Sequence, residues 1–157
     1  YNAFGAYIKK KKDCQGKSGC FAEKYLYING TEWEDNINTA PHRYKIITND
    51  GMSMAFHAYS HDCSKIQEDS DLRPICGLVF VDINGPNKGK NMMGDDLFAF
   101  DLTEDGIFPH GAATDTCLHQ HCMVAGLHCT KWVIENENKE YLKCKDLSWS
   151  GKTKCNK

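Results

Sequence analysis

No run of apolar residues in this chain is long enough to cross a membrane as a helix, which takes about 20 in succession. No basic leader followed by an apolar stretch marks a secretory signal peptide. Neither sign of charge dominates: 19 Lys and Arg stand against 21 Asp and Glu. Long-range attraction to nucleic acid or to an anionic lipid surface is therefore not expected. The signatures GxSxG and HExxH are missing, as is a glycine-rich phosphate loop ending in Lys-Ser/Thr. There is no CxxC pair and so no repeated zinc-knuckle pattern. No internal repeat and no low-complexity linker interrupts the 157 residues, and 1–157 reads as one domain. A domain of that length buries roughly two-thirds of its extended-chain surface, enough for a real core.

What the chain has in quantity is cysteine. Nine are present, at positions 14, 20, 63, 76, 117, 122, 129, 144 and 155. Irregular spacing at this density points to disulfides and an oxidising compartment, and an odd number leaves at least one thiol over. Cys14 and Cys20 bracket a Gly-rich loop. Cys63 and Cys76 bracket a polar one. For Cys117 the candidates are Cys129 and, through a tighter loop, Cys122. The reading adopted is 14–20, 63–76, 117–129 and 144–155, with Cys122 unpaired.

The chain is organised around residues 76–102, CGLVFVDINGPNKGKNMMGDDLFAFDL. Leu78, Val79, Phe80 and Val81 form an apolar, β-branched and aromatic run suited to a buried strand. Residues 82–94 read as a long turn, with Asn84-Gly85-Pro86-Asn87 at its head. Leu97, Phe98, Ala99 and Phe100 start a second strand, antiparallel to the first. Earlier, Asn49-Asp50-Gly51 divides 44–48 from 52–59 as a hairpin. Asn29-Gly30-Thr31 matches a glycosylation acceptor, but Asn-Gly is also a turn signal, and we read the turn. Residues 107–109 read as a short final strand or edge, and 126–137 as a helix with Leu127, Thr130, Val133 and Ile134 on one face. At the start, Tyr1, Phe4, Tyr7 and Ile8 recur at helical spacing, and Lys9, Lys10, Lys11 and Lys12 suit a helix C-terminus. The expected fold is α+β: an N-terminal helix packed on an antiparallel sheet of about four strands, with disulfide-stapled loops.

Three groups of residues suggest chemistry. Asp82, Asn84, Asn87, Asp95 and Asp96 offer the hard oxygens that calcium takes, although the EF-hand spacing fails and Asn and Asp also cap ordinary turns. His110, Cys117, His119, His121, Cys122 and His128 suit zinc by type, but disulfides plus solvated histidines are the commoner outcome. Trp33, Trp132 and Trp149 could stack on sugars, though aromatics more often pack cores. No pair of carboxylates is placed to act together, and a Cys–His nucleophile needs a reduced thiol. The chain is read as a non-enzyme.

The stretch VDINGPNKGKNMMGDDLFAFDL, with its D-x-N-G, P-N, G-x-D and F-x-F elements, resembles the globular domains of type IV pilin-like proteins. These include the pseudopilins of type II secretion and other prepilin-type proteins. The stretches YKIITNDGMSM at 44–54 and CTKWVIENENKEYLKCKDLSWSGKTKC at 129–155 agree, so the resemblance covers much of 44–157. It implies a sheet that covers the second half of a long N-terminal helix. It also implies a structural subunit of a pilus or pseudopilus that works by assembly. The partners would be other pilin or pseudopilin subunits, and the inner membrane through an apolar helix upstream of residue 1. The location would be an extracellular filament or the periplasm. Some pseudopilins bind calcium, which is why calcium is the one cofactor considered. The alternative is an extracellular adhesin-like or carbohydrate-binding module, calcium-dependent if the acidic turn is its site.

Overall fold

In the computed structural model, which describes residues 7–66 and 73–156, the chain is a mixed α+β fold built on one large antiparallel sheet. Its strands are β1 (Lys10–Gln15), β2 (Tyr44–Thr48), β3 (Ser53–Ala58), β6 (Gly77–Asp82), β7 (Leu97–Thr103) and β8 (Gly106–Pro109). Their order is β1-β2-β3-β6-β7-β8. Between β3 and β6, β4 (Lys65–Ile66) and β5 (Pro74–Ile75) form a separate two-stranded ribbon. The sheet thus has six strands where about four were expected. Beyond the four central strands, β8 at one edge is the short final strand expected at 107–109, and β1 at the other edge was not expected.

The central strands follow from the apolar runs. β6 is buried at almost every position, and it pairs Phe80 with Ala55 on one side and Ala99 on the other. Large against small across neighbouring strands lets Phe80 fill the space its partners leave. Leu78, Phe80, Leu97 and Ala99 face a cluster with Phe21, Tyr25 and Ile37 from the loops that follow β1. Ile46, Phe56 and Val79 form a second cluster, joined by Tyr44, Val81, Phe100 and Ile8. A buried parity on both faces explains why β6 reads as a continuous apolar run and not an alternating one.

No N-terminal helix packs on the sheet among the described residues. The expected helix positions Tyr1 and Phe4 lie outside them. Lys10, Lys11 and Lys12, expected at a helix end, instead belong to β1, which pairs with β2 through two irregularities in register. Pairing with Tyr44–Thr48 overrides the local helical pattern, and the Cys14–Cys20 bridge closes the loop directly after the strand. Exposed lysines on an edge strand discourage another chain from adding to it.

The remaining three bridges are Cys63–Cys76, Cys122–Cys129 and Cys144–Cys155. The expected pair Cys117–Cys129 is not formed: Cys129 bonds Cys122, and Cys117 is the buried cysteine outside the four bridges. The reason lies in the local chain path. Asp115–Cys117 continues as a π-helical stretch, Leu118–Cys122, then Met123–Ala125. Gly126 then adopts φ +101° and reverses the chain, bringing Cys129 back onto Cys122. Cys117 instead accepts the Ala112 amide on its sulfur at 3.3 Å. Four disulfides fit an oxidising location, extracellular or periplasmic. No helix among the described residues is long and apolar enough to cross a membrane.

The helical face expected at 126–137 is shorter than anticipated. Leu127–Cys129 is a 3-10 turn and Thr130–Asn136 the helix, whose buried residues are Thr130 and Trp132. Thr130 Oγ1 accepts the Ala99 amide at 3.0 Å and donates to the Leu127 carbonyl at 3.1 Å, tying the helix to β7. Behind it Trp132, Tyr141, Leu147 and the Cys122–Cys129 bridge form a third cluster.

Candidate functional site

The long turn between β6 and β7 brings together some of the oxygen donors expected there. Asp82 is fully buried; its Oδ1 accepts the Asn84 and Gly85 amides at 3.0 Å each, and its Oδ2 accepts the Tyr25 hydroxyl at 2.5 Å. Asp96 Oδ1 takes the Asn84 amide group at 2.8 Å, and Oδ2 takes the Lys90 N–H at 2.6 Å. Asp95 points elsewhere, to Lys90 at 3.1 Å and Lys139 at 2.5 Å. Asn87 is exposed. The carboxylates therefore serve donors of the turn and of Tyr25 and Lys139 beyond it, each with an ammonium, hydroxyl or amide partner. Burial pushes the Asp82 carboxyl above its usual range despite three hydrogen bonds that oppose the shift. Burial also works to raise Asp95, but the Lys139 and Lys90 ammonium groups win and hold it low. Among the described residues no group of three or more His, Cys, Asp or Glu side chains is placed to hold a metal ion.

The histidine- and cysteine-rich stretch is also divided. His119 is exposed and Cys122 is in a disulfide. His110 is buried and its Nδ1 lies 2.7 Å from Asp101 Oδ1, which is buried as well. The His128 ring sits 4.4 Å from His110 and 5.2 Å from His121. Burial, reinforced by the neighbouring imidazoles, pushes His128 down to about 3, so it is neutral at physiological pH.

His110 and His128 open onto a cleft of about 540 Å³ on the sheet face that packs against the loops after β1. Its other walls come from distant segments: Trp33, Asp35 and Arg43 before β2, His57 on β3 with Tyr59 just beyond it, and Phe80 on β6. Arg43 is 4% exposed, stacks its guanidinium 5.1 Å from the Phe80 ring, and pairs one arm with Asp35. Trp33 lies 5.9 Å from the same Phe80 ring. His57 packs on Tyr59 at 4.7 Å and on His42 at 4.8 Å. Burial, then the charge of Arg43, lowers the His57 pKa.

A second hollow, of about 580 Å³, lies between the opposite sheet face and the helix Thr130–Asn136. Met52, Val81, Ile83, Phe98, Phe100 and Val133 make it apolar. It adjoins the cluster that Ile8 enters, because Val81 and Phe100 belong to both.

No protein-family model, curated protein or solved structure matches this chain. The reading of function accordingly rests on the two hollows, the disulfides and the sequence pattern.

Sequence reasoning pointed to the acidic turn and the histidine stretch but did not bring out the polar cleft. Of the sequence candidates, only His110, His128 and Trp33 line it. Arg43 and His57 carried no signal, since their neighbours are unremarkable and only the β2–β3–β6 pairing brings them together. The apolar hollow was partly visible in Phe98-x-Phe100 and Val133-Ile134.

Proposed function

We propose that the chain is the head domain of a filament subunit, of the type IV pilus or type II pseudopilus kind. It acts by assembly, and its sheet seats an apolar helix that precedes residue 1. The observation that carries this reading is the apolar hollow beside Ile8. Ile8 packs on Ile46, Phe56 and Val79, so the chain enters the sheet at that face. The hollow extends the same apolar surface toward Phe98, Ile83 and the helix Thr130–Asn136, where Ile134 is 54% exposed and Ile83 44%. A helix laid along it and burying three or four large apolar side chains gains about 1.5–3 kcal/mol from each. The occupant we assign is the apolar helix ahead of residue 1, because Ile8 packs at the neighbouring cluster, which shares Val81 and Phe100 with the hollow. The pilin-like pattern at 82–100 supports the same arrangement, since it spans the turn and strand that build the hollow's floor.

Four disulfides suit a subunit outside the cytoplasm, where they limit local opening and proteolysis. On this reading the inner membrane holds the precursor before assembly, and like subunits are its partners afterwards.

The test replaces Ile134 and Ile83 by Asp, singly and together, in the full-length subunit expressed with its own assembly machinery. Both side chains are exposed in the head domain, so the head should fold normally, with an unchanged unfolding midpoint. Subunit in the sheared extracellular filament fraction should fall at least severalfold. Undiminished incorporation of the double variant would overturn the seating of the helix. Absence of the unaltered subunit from filaments would overturn the assembly reading itself.

A further inference from the structure

The polar cleft on the opposite sheet face has features a filament subunit does not need for assembly. Arg43 is buried to 4% exposure, yet its Nε and Nη1 have no hydrogen-bond partner among the described residues. Only one arm is engaged, by Asp35, which is itself exposed. Buried donors left in this condition are uncommon, because a guanidinium stripped of water loses much of its solvation without return. The guanidinium stacks on Phe80, which holds its plane fixed. A planar, fixed fork takes a carboxylate through two parallel hydrogen bonds, which here would pair one idle donor with the second N–H of Nη2, the arm whose other N–H meets Asp35.

The rest of the cleft favours a hydroxylated ring. Trp33 is half-buried and close to Phe80, so an aromatic surface stands beside Arg43. Pyranose rings present apolar C–H faces to such surfaces and hydroxyls around their edges. His57 and His128 are held toward the neutral form, and a neutral imidazole offers one donor and one acceptor nitrogen. Beyond burial, Arg43 and Lys65 act to lower the His57 pKa, and the Asp35 carboxylate acts to raise it. Lys65 sits over Tyr59 at 4.4 Å, which adds to the positive side at this end of the cleft. The cleft thus combines a buried guanidinium, an aromatic wall and mixed donors and acceptors in about 540 Å³.

We propose that this cleft binds an acidic sugar, with the carboxylate of a uronic acid on Arg43 and its ring against Trp33. The site lies on the sheet face away from the apolar hollow, and it stands whether or not the chain assembles into filaments. A uronate polymer on a cell or matrix surface is the class of partner that would present such a group.

The experiment titrates the head domain with a galacturonate trisaccharide, the corresponding neutral galactose trisaccharide, and benzoate. The readout is the indole N–H signal of Trp33 and the guanidinium N–H signals of Arg43 in nitrogen-edited NMR. The expected result is a saturable shift at both residues with the acidic sugar. The neutral sugar and benzoate should each bind about tenfold more weakly or worse, as expected if the carboxylate and the ring each contribute about 1.4 kcal/mol. Trp33→Ala should abolish binding while leaving the unfolding midpoint within about 2 °C of wild type. Arg43→Lys keeps the charge without the planar fork and should bind at least severalfold more weakly; if that buried substitution does not fold, Trp33→Ala still decides. No saturable shift, equal affinity for the neutral sugar or for benzoate, or unaltered binding by Trp33→Ala would each overturn the proposal.

Discussion

Removing a single hydroxyl, by Tyr25→Phe, tests how the long turn is held to the core. Asp82 has no exposed surface, and its Oδ2 depends on the Tyr25 hydroxyl at 2.5 Å while Oδ1 serves the Asn84 and Gly85 amides. The same hydroxyl accepts the Ala22 amide at 3.3 Å, so that buried donor is orphaned too. A hydrogen bond to a charged group is worth about 1.5–3 kcal/mol, and an unsatisfied buried group costs a similar amount. The ring stays packed on Phe21 at 6.2 Å, so little apolar burial is lost. The expected destabilisation is about 2–3 kcal/mol at pH 7.5, a fall of roughly 4–12 °C in unfolding midpoint for a chain of this size. The pH dependence has a definite sign. Burial raises the native Asp82 carboxyl above its unfolded value, so the native state binds the proton more tightly. Asp82 therefore lowers stability as pH rises from about 3.9 through its native value. Without the tyrosine hydroxyl the native value climbs further and the loss on raising pH is larger. The assay is urea and thermal unfolding at pH 4.5 and pH 7.5. Tyr25→Phe should be penalised more at pH 7.5 than at pH 4.5. Asp82→Asn keeps an oxygen for both backbone amides and can donate to Tyr25, so it should stay within about 1 kcal/mol of wild type and flatten the pH slope. A Tyr25→Phe penalty under about 0.5 kcal/mol, or one that grows toward acid pH, would refute the reasoning.

Other consequences are as direct. Thiol titration should find no reactive group in the native protein and one per chain after unfolding without reductant, because Cys117 is buried and the other eight are bridged; peptide mapping should recover Cys122 joined to Cys129. Millimolar calcium or a chelator should move the unfolding midpoint by less than about 1 °C, since the turn carboxylates already have protein donors; a rise of several degrees would show that the turn rearranges around the ion. Gly85→Ala should cost at least about 1–3 kcal/mol in urea unfolding, because φ is +81° and an added Cβ would lie 2.3 Å from the Gly51 carbonyl oxygen.

The central strands were legible because their signals are local. Apolar runs bounded by the Asn49-Asp50-Gly51 and Asn84-Gly85 turns located β2, β3, β6 and β7, and the turn ending at Gly106 located β8 after it. The first strand was not legible: residues 9–12 carry good helix formers, and only pairing with residues 44–48 makes them extended. The cysteine pairing turned on Gly126, whose left-handed backbone folds Cys129 back on Cys122, a path that spacing alone does not reveal. The acidic turn was found, but its residues satisfy each other and the backbone. The polar cleft escaped notice because Trp33, Arg43, His57 and His128 come from four separate segments, none with a motif. Its clearest physical sign, a buried guanidinium with idle donors, exists only once the sheet has formed.

The measurement that bears most directly on the assembly reading is the N-terminal sequence of the full-length precursor, taken from its gene and from the membrane-bound protein before export. The filament account expects a short basic leader removed just ahead of an apolar helix of about 20 residues, which runs on into the segment that reaches the sheet at Ile8. A conventional cleaved signal peptide with no such helix would contradict it, and the acidic-sugar cleft would then stand as the chain's principal candidate site.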